Sequence, residues 1–361
     1  MSQVSTRNTG LASKGAAPSA RRVDFIDYAK GWCIVLVVLM HSTLGLTDRV
    51  GEANWLGEFI AFAKPFRMPD FFLIAGLFAM RSLHAPLRSF LDGKILHFAY
   101  FYAVWMTIQI LMKRGGFLID DPARFAGEYL HSLIEPLGTL WFIYLLPIMY
   151  AAARLLRSLP TVFVLILSTA LRLLELRTGS TVIDYFGAYF VFFLVGVRLS
   201  PRILSLADWC GAHPLSTGVS IALWAVANAL TVYVGLADDL LLGLALGLAG
   251  ALAVIAGSAL LARGQILNGL RHAGQHSLPI YLAFFLPMVV VRTAVIKSGW
   301  SGNIDAASLV ITTAAIATPL ALQYALQQTP LKFLFERPRG LRLRTRFTLA
   351  RPAHGRLPAA E

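Results

Sequence analysis

Long apolar runs recur along this chain at a length typical of membrane-spanning helices. Most runs hold roughly 17 to 23 residues, which is enough for a helix to cross the roughly 30 Å hydrocarbon core of a bilayer. About ten runs can be counted, and they lie near residues 28–46, 66–81, 95–112, 139–156, 160–174, 182–199, 214–235, 240–262, 277–296 and 306–326. The pattern therefore predicts an all-α, polytopic membrane protein with about ten transmembrane helices.

Composition supports this prediction and divides the chain. Of its 361 residues, 57% are hydrophobic and only 14% are charged, whereas soluble domains carry roughly a quarter of charged residues. Residues 1–22 are rich in Ser, Ala, Gly and Pro and predict a disordered arm. Residues 23–328 form the predicted membrane domain, and residues 329–361 form a basic tail.

The distribution of charge predicts the orientation. With the N-terminus placed in the cytoplasm, the cytoplasmic segments hold 21 of the 32 basic residues, and the outer segments hold 13 of the 19 acidic ones. This asymmetry follows the positive-inside rule and predicts that both termini are cytoplasmic. The net charge of +13 is then explained by topology and contact with anionic lipids, so we expect no nucleic-acid partner.

The first predicted helix carries the sharpest candidate for chemistry. Lys30 and His41 are eleven residues apart, or three turns plus about 20°, so they share one helix face roughly 16 Å apart, together with Asp27. Charged groups in a bilayer normally face a protein interior or a cavity. A neutral imidazole can take a proton from a hydroxyl that attacks an acyl group. A structural histidine and a lysine that reaches lipid phosphates are the alternative roles.

The second helix adds a second candidate pair, Arg67 and Asp70, which are three residues apart and can share a face. In one interpretation they form an ion pair that fixes the outer end of the helix. In the other, Asp70 orients His41 and Arg67 holds a substrate or a developing oxyanion.

Several further residues fit either a structural or a binding role. A basic cluster in the next cytoplasmic link suits an anionic cofactor as well as the positive-inside rule; it consists of Arg81, Arg88 and Lys94. Trp141 and Tyr144 fit an aromatic belt or a substrate platform. No metal-ligand spacing or phosphate-binding glycine loop is present, so we expect no metal. The two cysteines, Cys33 and Cys210, lie too far apart in this topology for a disulfide.

Five elements in this order resemble the membrane-bound acyltransferase 3 family. The first-helix element has ten residues between a basic residue and a histidine. It is followed by a Met-Pro, Phe-Phe and small-Gly pattern, a Leu-Trp-Phe element, an aromatic helix that ends in glycine, and a late Gly-x-x-Ser-Leu-x-Ile-Tyr-Leu element. In this chain they are Asp27–His41, Phe66–Leu77, Leu140–Leu146, Tyr185–Gly196 and Gly274–Leu282.

The resemblance implies a bacterial inner-membrane enzyme that transfers an acyl group from cytoplasmic acyl-coenzyme A to a hydroxyl of an extracytoplasmic glycan or glycolipid. Acetyl is the family's usual group. His41 becomes the catalytic histidine, with Asp70 and Arg67 as its candidate helpers. The predicted contacts with the coenzyme are Lys30, Arg81, Arg88 and Lys94, and the predicted contacts with the acceptor are Asp27, Trp141 and Tyr144. The expected partners are membrane lipids, the acceptor and an extracytoplasmic protein that completes the transfer where one is needed.

Two features of this chain depart from the family pattern. Relatives often have Arg-x-x-Arg in the cytoplasmic link, where this chain has wider spacing, and a histidine where this chain has Ala283-Phe284-Phe285.

A transporter or flippase of a small glycan or lipid would also use intramembrane charges, but the sequence reveals neither repeat symmetry nor broken helix pairs. A non-catalytic subunit of an envelope-polysaccharide complex is the third alternative.

Overall fold

The computed structural model describes residues 18–50, 54–299 and 303–343, and in these ranges it contains helices and no strand, which confirms the all-α prediction. The rest of the predicted arm and of the basic tail, residues 1–17 and 344–361, lies outside the described residues. The α-helices are α1 (Pro18–Val50), α2 (Trp55–Leu77), α3 (Ala79–His84), α4 (Leu87–Phe90), α5 (His97–Arg114), α6 (Phe117–Asp120), α7 (Pro122–Ile134), α8 (Trp141–Leu155), α9 (Thr161–Leu173), α10 (Thr181–Arg198), α11 (Ser200–Ala212), α12 (Pro214–Tyr233), α13 (Leu240–Gly264), α14 (Asn268–Gln275), α15 (Ser277–Ala283), α16 (Phe285–Lys297) and α17 (Ile304–Leu326).

Among the described residues, seven helical stretches are long and apolar enough to cross a membrane, and the bent pair α15 and α16 gives an eighth. Two other predicted spans are helical but fall short for physical reasons. Helix α2 carries four charged residues, and α9 is only 13 residues long. The protein is therefore a multi-span membrane protein, while the count of ten spans and the cytoplasmic placement of both termini stay predictions.

The helices group into two compact units. The first contains the described residues up to Met80 together with Leu159–Gln328, and the second contains Arg81–Ser158 and the described residues from Thr329 onward. In the first unit, α1 packs against α2, α13, α14 and α17. Residues of α1 are therefore surrounded by protein on several sides, which is the environment that polar groups need inside a bilayer.

Helices α1 and α14 touch through their backbones. A Cβ atom on Gly274 would collide with the carbonyl oxygen of Asp27, and a Cβ atom on Gly31 would collide with the carbonyl oxygen of Leu270. Small residues allow helices in membranes to approach this closely. The contact is reinforced by the Tyr28 hydroxyl, which donates a hydrogen bond to the side chain of Asn268 at 3.2 Å.

Helix α2 is fixed against α10 in the same way. A Cβ atom on Gly76 would meet the carbonyl oxygen of Phe193, and one on Gly196 would meet that of Leu73. The family-like glycines of the second and fourth sequence elements therefore serve helix packing.

The span formed by α15 and α16 is broken at Phe284, where the two helices meet at an angle of 53°. Pro287 explains the break, because its ring has no N–H to donate to the carbonyl of Ala283 and clashes with that turn. The sequence analysis did not anticipate this single break, because the apolar run 277–296 is continuous in hydropathy.

The second unit folds the first part of the basic tail onto α5. Arg337 is only 5% exposed and forms an ion pair with Asp92 at 2.6 Å. The indole nitrogen of Trp105 donates to the carbonyl of Leu334 at 2.9 Å. Asp92 lies in a π-helical turn, Leu91–Leu96, that leads into α5. Tail residues up to Leu343 thus belong to the folded structure.

The α1–α14 contact makes a first prediction. Gly274→Ala is expected to lower the free energy of unfolding by about 1–3 kcal/mol or more, because the added methyl meets backbone atoms that cannot rotate away. Gly269→Ala, in the same helix, is the matched control, because a Cβ atom there meets open space. Thermal unfolding of the purified protein in detergent measures both changes. An equal effect of the two substitutions would show that the close contact does not contribute to stability.

Candidate active site along helix α1

The polar face predicted for the first helix is present in α1, which is helical from Pro18 to Val50. Lys30 and His41 therefore lie roughly 16 Å apart along one axis. The Lys30 ammonium is 3.9 Å from the carboxylate of Asp27, and 40% of the Lys30 side chain is exposed. Asp27 also accepts a hydrogen bond from Gln275 of α14 at 3.2 Å. The Lys30 end of α1 is thus joined to α14 through polar contacts.

A polar cavity of about 450 Å³ opens at this end of α1. It is lined by Gln265, Asn268, Arg271, His272 and Gln275. Three of these residues also bind α1: besides the contacts of Asn268 and Gln275, Arg271 forms an ion pair with Asp24 at 2.9 Å. Sequence reasoning missed this group. The signal that could have found it is a polar segment between two apolar runs.

A second cavity of about 490 Å³ is lined by Phe25 and by residues of α11 and α13, most of them alanine or glycine. We favour the 450 Å³ cavity as the binding site, because most of its lining side chains can donate hydrogen bonds, whereas most residues that line the 490 Å³ cavity cannot.

His41 is half-buried, and its ring lies 5.5 Å from the ring of Phe284, the residue at the break between α15 and α16. Phe284 is fully buried. Phe284 belongs to the stretch Ala283-Phe284-Phe285, which has no histidine, and its aromatic ring packs against His41.

Arg292 of α16 lies one helical turn beyond His41. One nitrogen of its guanidinium group occupies the space that a Cβ atom on Gly45 would need. Residues four apart on a helix are neighbours on one face, with Cβ atoms about 5–6 Å apart, so Arg292 places a cation near the imidazole. No motif marked this residue in the sequence. The available signal is a single arginine within an apolar run, together with a glycine four residues after the histidine.

Asp70 is fully buried, and its carboxylate accepts a hydrogen bond from the Cys33 thiol at 2.9 Å. The other carboxylate oxygen has no hydrogen-bond partner among the described residues. The structure therefore joins Asp70 to Cys33 and not to His41, and the expected role in orienting the imidazole does not fit this geometry. The physical reason is register: Cys33 precedes His41 by eight residues, or roughly 12 Å along α1.

Arg67 does not pair with Asp70, although the two share a helix. Within the described ranges Arg67 makes no ion pair, and two of its guanidinium nitrogens are buried without a partner. Its neighbour Phe66 packs against Leu36, which lies about 7 Å before His41 along α1. Arg67 is therefore also displaced from the imidazole, and Tyr189 of α10 lies within electrostatic range of it.

The predicted coenzyme contacts of the cytoplasmic link lie in the second unit. Arg81 and Arg88 are exposed. The link between them is held by Arg154, whose guanidinium group donates to the carbonyls of Leu83 at 2.9 Å and Ala85 at 3.0 Å. Lys94 points to Tyr150, with its ammonium 3.3 Å from the hydroxyl and 4.6 Å from the ring centre.

The predicted aromatic acceptor contacts also lie in the second unit. The Tyr144 hydroxyl is 3.0 Å from the carbonyl of Leu133 and 3.1 Å from that of Ile134, so it closes the end of α7. Trp141 is half-buried at the start of α8. Tyr144 thus has a structural use that sequence analysis could not show.

The Cys33–Asp70 contact makes a second prediction. Cys33→Ala is expected to cost about 1–3 kcal/mol beyond the loss of packing, because a buried carboxyl group then lacks its hydrogen-bond donor. Cys33→Ser should retain most of the stability. The matched control is Cys210→Ala, which removes the other buried thiol. Equal losses of thermal stability for the two alanine variants would contradict the prediction.

A family model described as an acyltransferase domain matches residues 23–324. The inner membrane protein YcfT of Escherichia coli is 28% identical over 158 residues, which cover 37% of this chain and 44% of YcfT. The nodulation protein NolL of Mesorhizobium japonicum is 25% identical over 167 residues, which cover 45% of this chain and 43% of NolL.

The matched segments thus span less than half of either relative. No solved structure matches the chain. The family match covers most of α1 through α17, including both ends of the polar face and the bent pair. On this evidence, the chain belongs to the acyltransferase 3 family.

Proposed function

We propose that this protein is an integral membrane O-acyltransferase of the inner membrane. It moves an acyl group, by family preference acetyl, from cytoplasmic acyl-coenzyme A to a hydroxyl of an extracytoplasmic glycan or glycolipid. The observation that carries the proposal is the polar face of α1, which has Lys30 at the end where α14 and its polar cavity pack and the half-buried His41 roughly 16 Å further along the axis. A long, thin pantetheine arm could span that distance.

The donor binds at the Lys30 end in this proposal. Coenzyme A carries phosphates and amides, and the cavity beside Lys30 offers Arg271, His272 and amide side chains as hydrogen-bond donors. Asp27, which holds Lys30 and Gln275, organises this end and is no longer an acceptor contact in our proposal. The exposed Arg81 and Arg88 of the second unit stay predicted contacts for the phosphates of the donor.

His41 acts as the general base. Its neutral imidazole takes the proton of the acceptor hydroxyl as the oxygen attacks the thioester carbonyl. The tetrahedral oxyanion then collapses, the carbon–sulfur bond breaks, and the imidazolium returns the proton to the sulfur of coenzyme A. Arg292, one turn away, replaces Arg67 as the cation that stabilises the oxyanion.

One observation favours the transporter alternative. Transporters bind substrates at discontinuous helices, and the break between α15 and α16 is such a feature. Transporters of that kind have two broken helices, one in each half of the protein. In the described ranges of this chain, one span of membrane-crossing length is broken, namely the bent pair α15 and α16. Membership of the acyltransferase family favours the enzyme.

The test of the proposal is acyl transfer in inverted membrane vesicles with radiolabelled acetyl-coenzyme A. His41→Ala is expected to lower covalent labelling of glycan or lipid by roughly 10²- to 10⁴-fold, which is the usual contribution of a general base. His213→Ala, which alters an exposed histidine outside α1, is the control at matched expression. Equal labelling with wild type and His41→Ala would remove His41 from the mechanism, and uptake of label without covalent change would support the transporter.

The place of Arg292 gives a separate prediction. Arg292→Gln is expected to lower kcat by about 10- to 10³-fold, because the oxyanion loses its cation. Gly45→Ala should act in the same direction, because the added methyl displaces the guanidinium group. The double variant should be no worse than Arg292→Gln, since the two changes remove one interaction. Gly218→Ala, at a position with open space, is the control; additive losses in the double variant would contradict this explanation.

A further inference from the structure

Two arginines of the first unit carry buried nitrogens that lack a hydrogen-bond partner and, unlike Arg271, which pairs with Asp24, form no ion pair among the described residues. They are Arg67 of α2, with Nε and one terminal nitrogen, and Arg172 of α9, with Nε. Across the described part of the chain neither arginine forms an ion pair. Because a buried donor without an acceptor is costly, and more so when it is charged, these groups call for an anion.

Both guanidinium groups interact electrostatically with the same residue, Tyr189. Helix α10 packs against α2 and α9, and its Tyr189 lies within electrostatic range of both Arg67 and Arg172. The Tyr189 ring stacks on Phe72 at 5.1 Å and meets Tyr185 at 5.8 Å. Since Tyr185 is 38% exposed, the face of α10 leads from the protein surface to the two arginines. We name Arg67, Arg172, Tyr185 and Tyr189 the Tyr189 site.

Arg172 does not simply extend to lipid headgroups. It follows Val164 by about two turns and Ser168 by about one turn on the buried face of α9, and these residues are 0% and 2% exposed. One of its terminal nitrogens lies 4.0 Å from the position of a Cβ atom on Gly243, so the side chain points toward α13.

The acidic residues nearest to Arg172 in sequence are already engaged. Asp184 accepts hydrogen bonds from the backbone nitrogens of Thr178 and Gly179 at 2.8 Å and 3.2 Å. Glu175 forms an ion pair with Arg177. These carboxylates therefore hold the loop between α9 and α10.

We propose that the Tyr189 site binds a phosphate group. A phosphate has several acceptor oxygens and a charge between −1 and −2, which matches two guanidinium groups and a phenol, whereas a single arginine fork already satisfies a carboxylate. The orientation predicted from charge places this site in the outer half of the membrane. The phosphate then belongs to a phospholipid headgroup or to a phosphorylated glycan. This inference does not depend on acyl transfer, and binding measurements alone test it.

The experiment measures the thermal unfolding midpoint of the full chain in detergent, titrated with inorganic phosphate in one arm and with dioleoyl phosphatidic acid in the other. Dioleoyl phosphatidylcholine, whose phosphate charge is neutralised by choline, is the lipid control. We expect saturable stabilisation of the wild type. Arg67→Gln and Arg172→Gln should each weaken binding by about tenfold or more, in line with the loss of a charge-assisted hydrogen bond.

Arg177→Gln is the matched control, because it removes a nearby exposed arginine that is already paired. Arg172→Lys keeps the charge without the planar fork and should bind with intermediate affinity. Stabilisation by phosphatidic acid alone would assign the site to a lipid headgroup, and stabilisation by inorganic phosphate as well would assign it to phosphorylated molecules in general. The proposal is overturned if neither probe stabilises the wild type, or if Arg177→Gln weakens binding as much as Arg172→Gln.

Discussion

The backbone contact between α1 and α14 is the constraint on which the candidate active site depends. It forms because Gly31 and Gly274 each leave room for the carbonyl of the other helix, and van der Waals packing of this kind is a main source of helix association in lipid. The contact lays a polar segment against the Lys30 end of α1. The chain then continues directly into α15 and α16, whose break brings Phe284 to His41 and whose second half brings Arg292 to Gly45. One stretch of chain thus provides the surroundings of both ends of the polar face.

The polar groups of the first unit follow a simple energetic rule. Inside a bilayer a polar group without a partner is costly, and Asp27 and Cys33 accordingly have partners on α14 and α2. Arg67 and Arg172 are among the groups that depart from this rule, since guanidinium nitrogens of both are buried without acceptors among the described residues. Such departures concentrate where ligands bind, because a site built for a ligand is incomplete until the ligand arrives.

The surroundings of His41 suit the chemistry of acyl transfer. A half-buried imidazole beside a buried aromatic ring lies in a medium of lower effective dielectric constant than water, where a fixed cation such as Arg292 acts more strongly on a developing oxyanion. The broken helix has a physical cause in Pro287. It need not imply transport, because irregular backbone is tolerated in a membrane wherever it is enclosed by protein or lines a polar cavity.

Sequence analysis alone predicts the helices, the membrane class, the family and the shared face of Lys30 and His41. The family follows from the five elements that resemble it, and the rest follows from hydropathy and the 3.6-residue period, which act over neighbouring residues. The sequence pattern did not predict that Asp70 bonds to Cys33, that Phe284 packs against His41, that Arg292 contacts Gly45, or that α15 and α16 are bent apart. Those facts depend on which helices are neighbours and in which register, and only tertiary packing decides them, because many registers satisfy the same apolar pattern equally well.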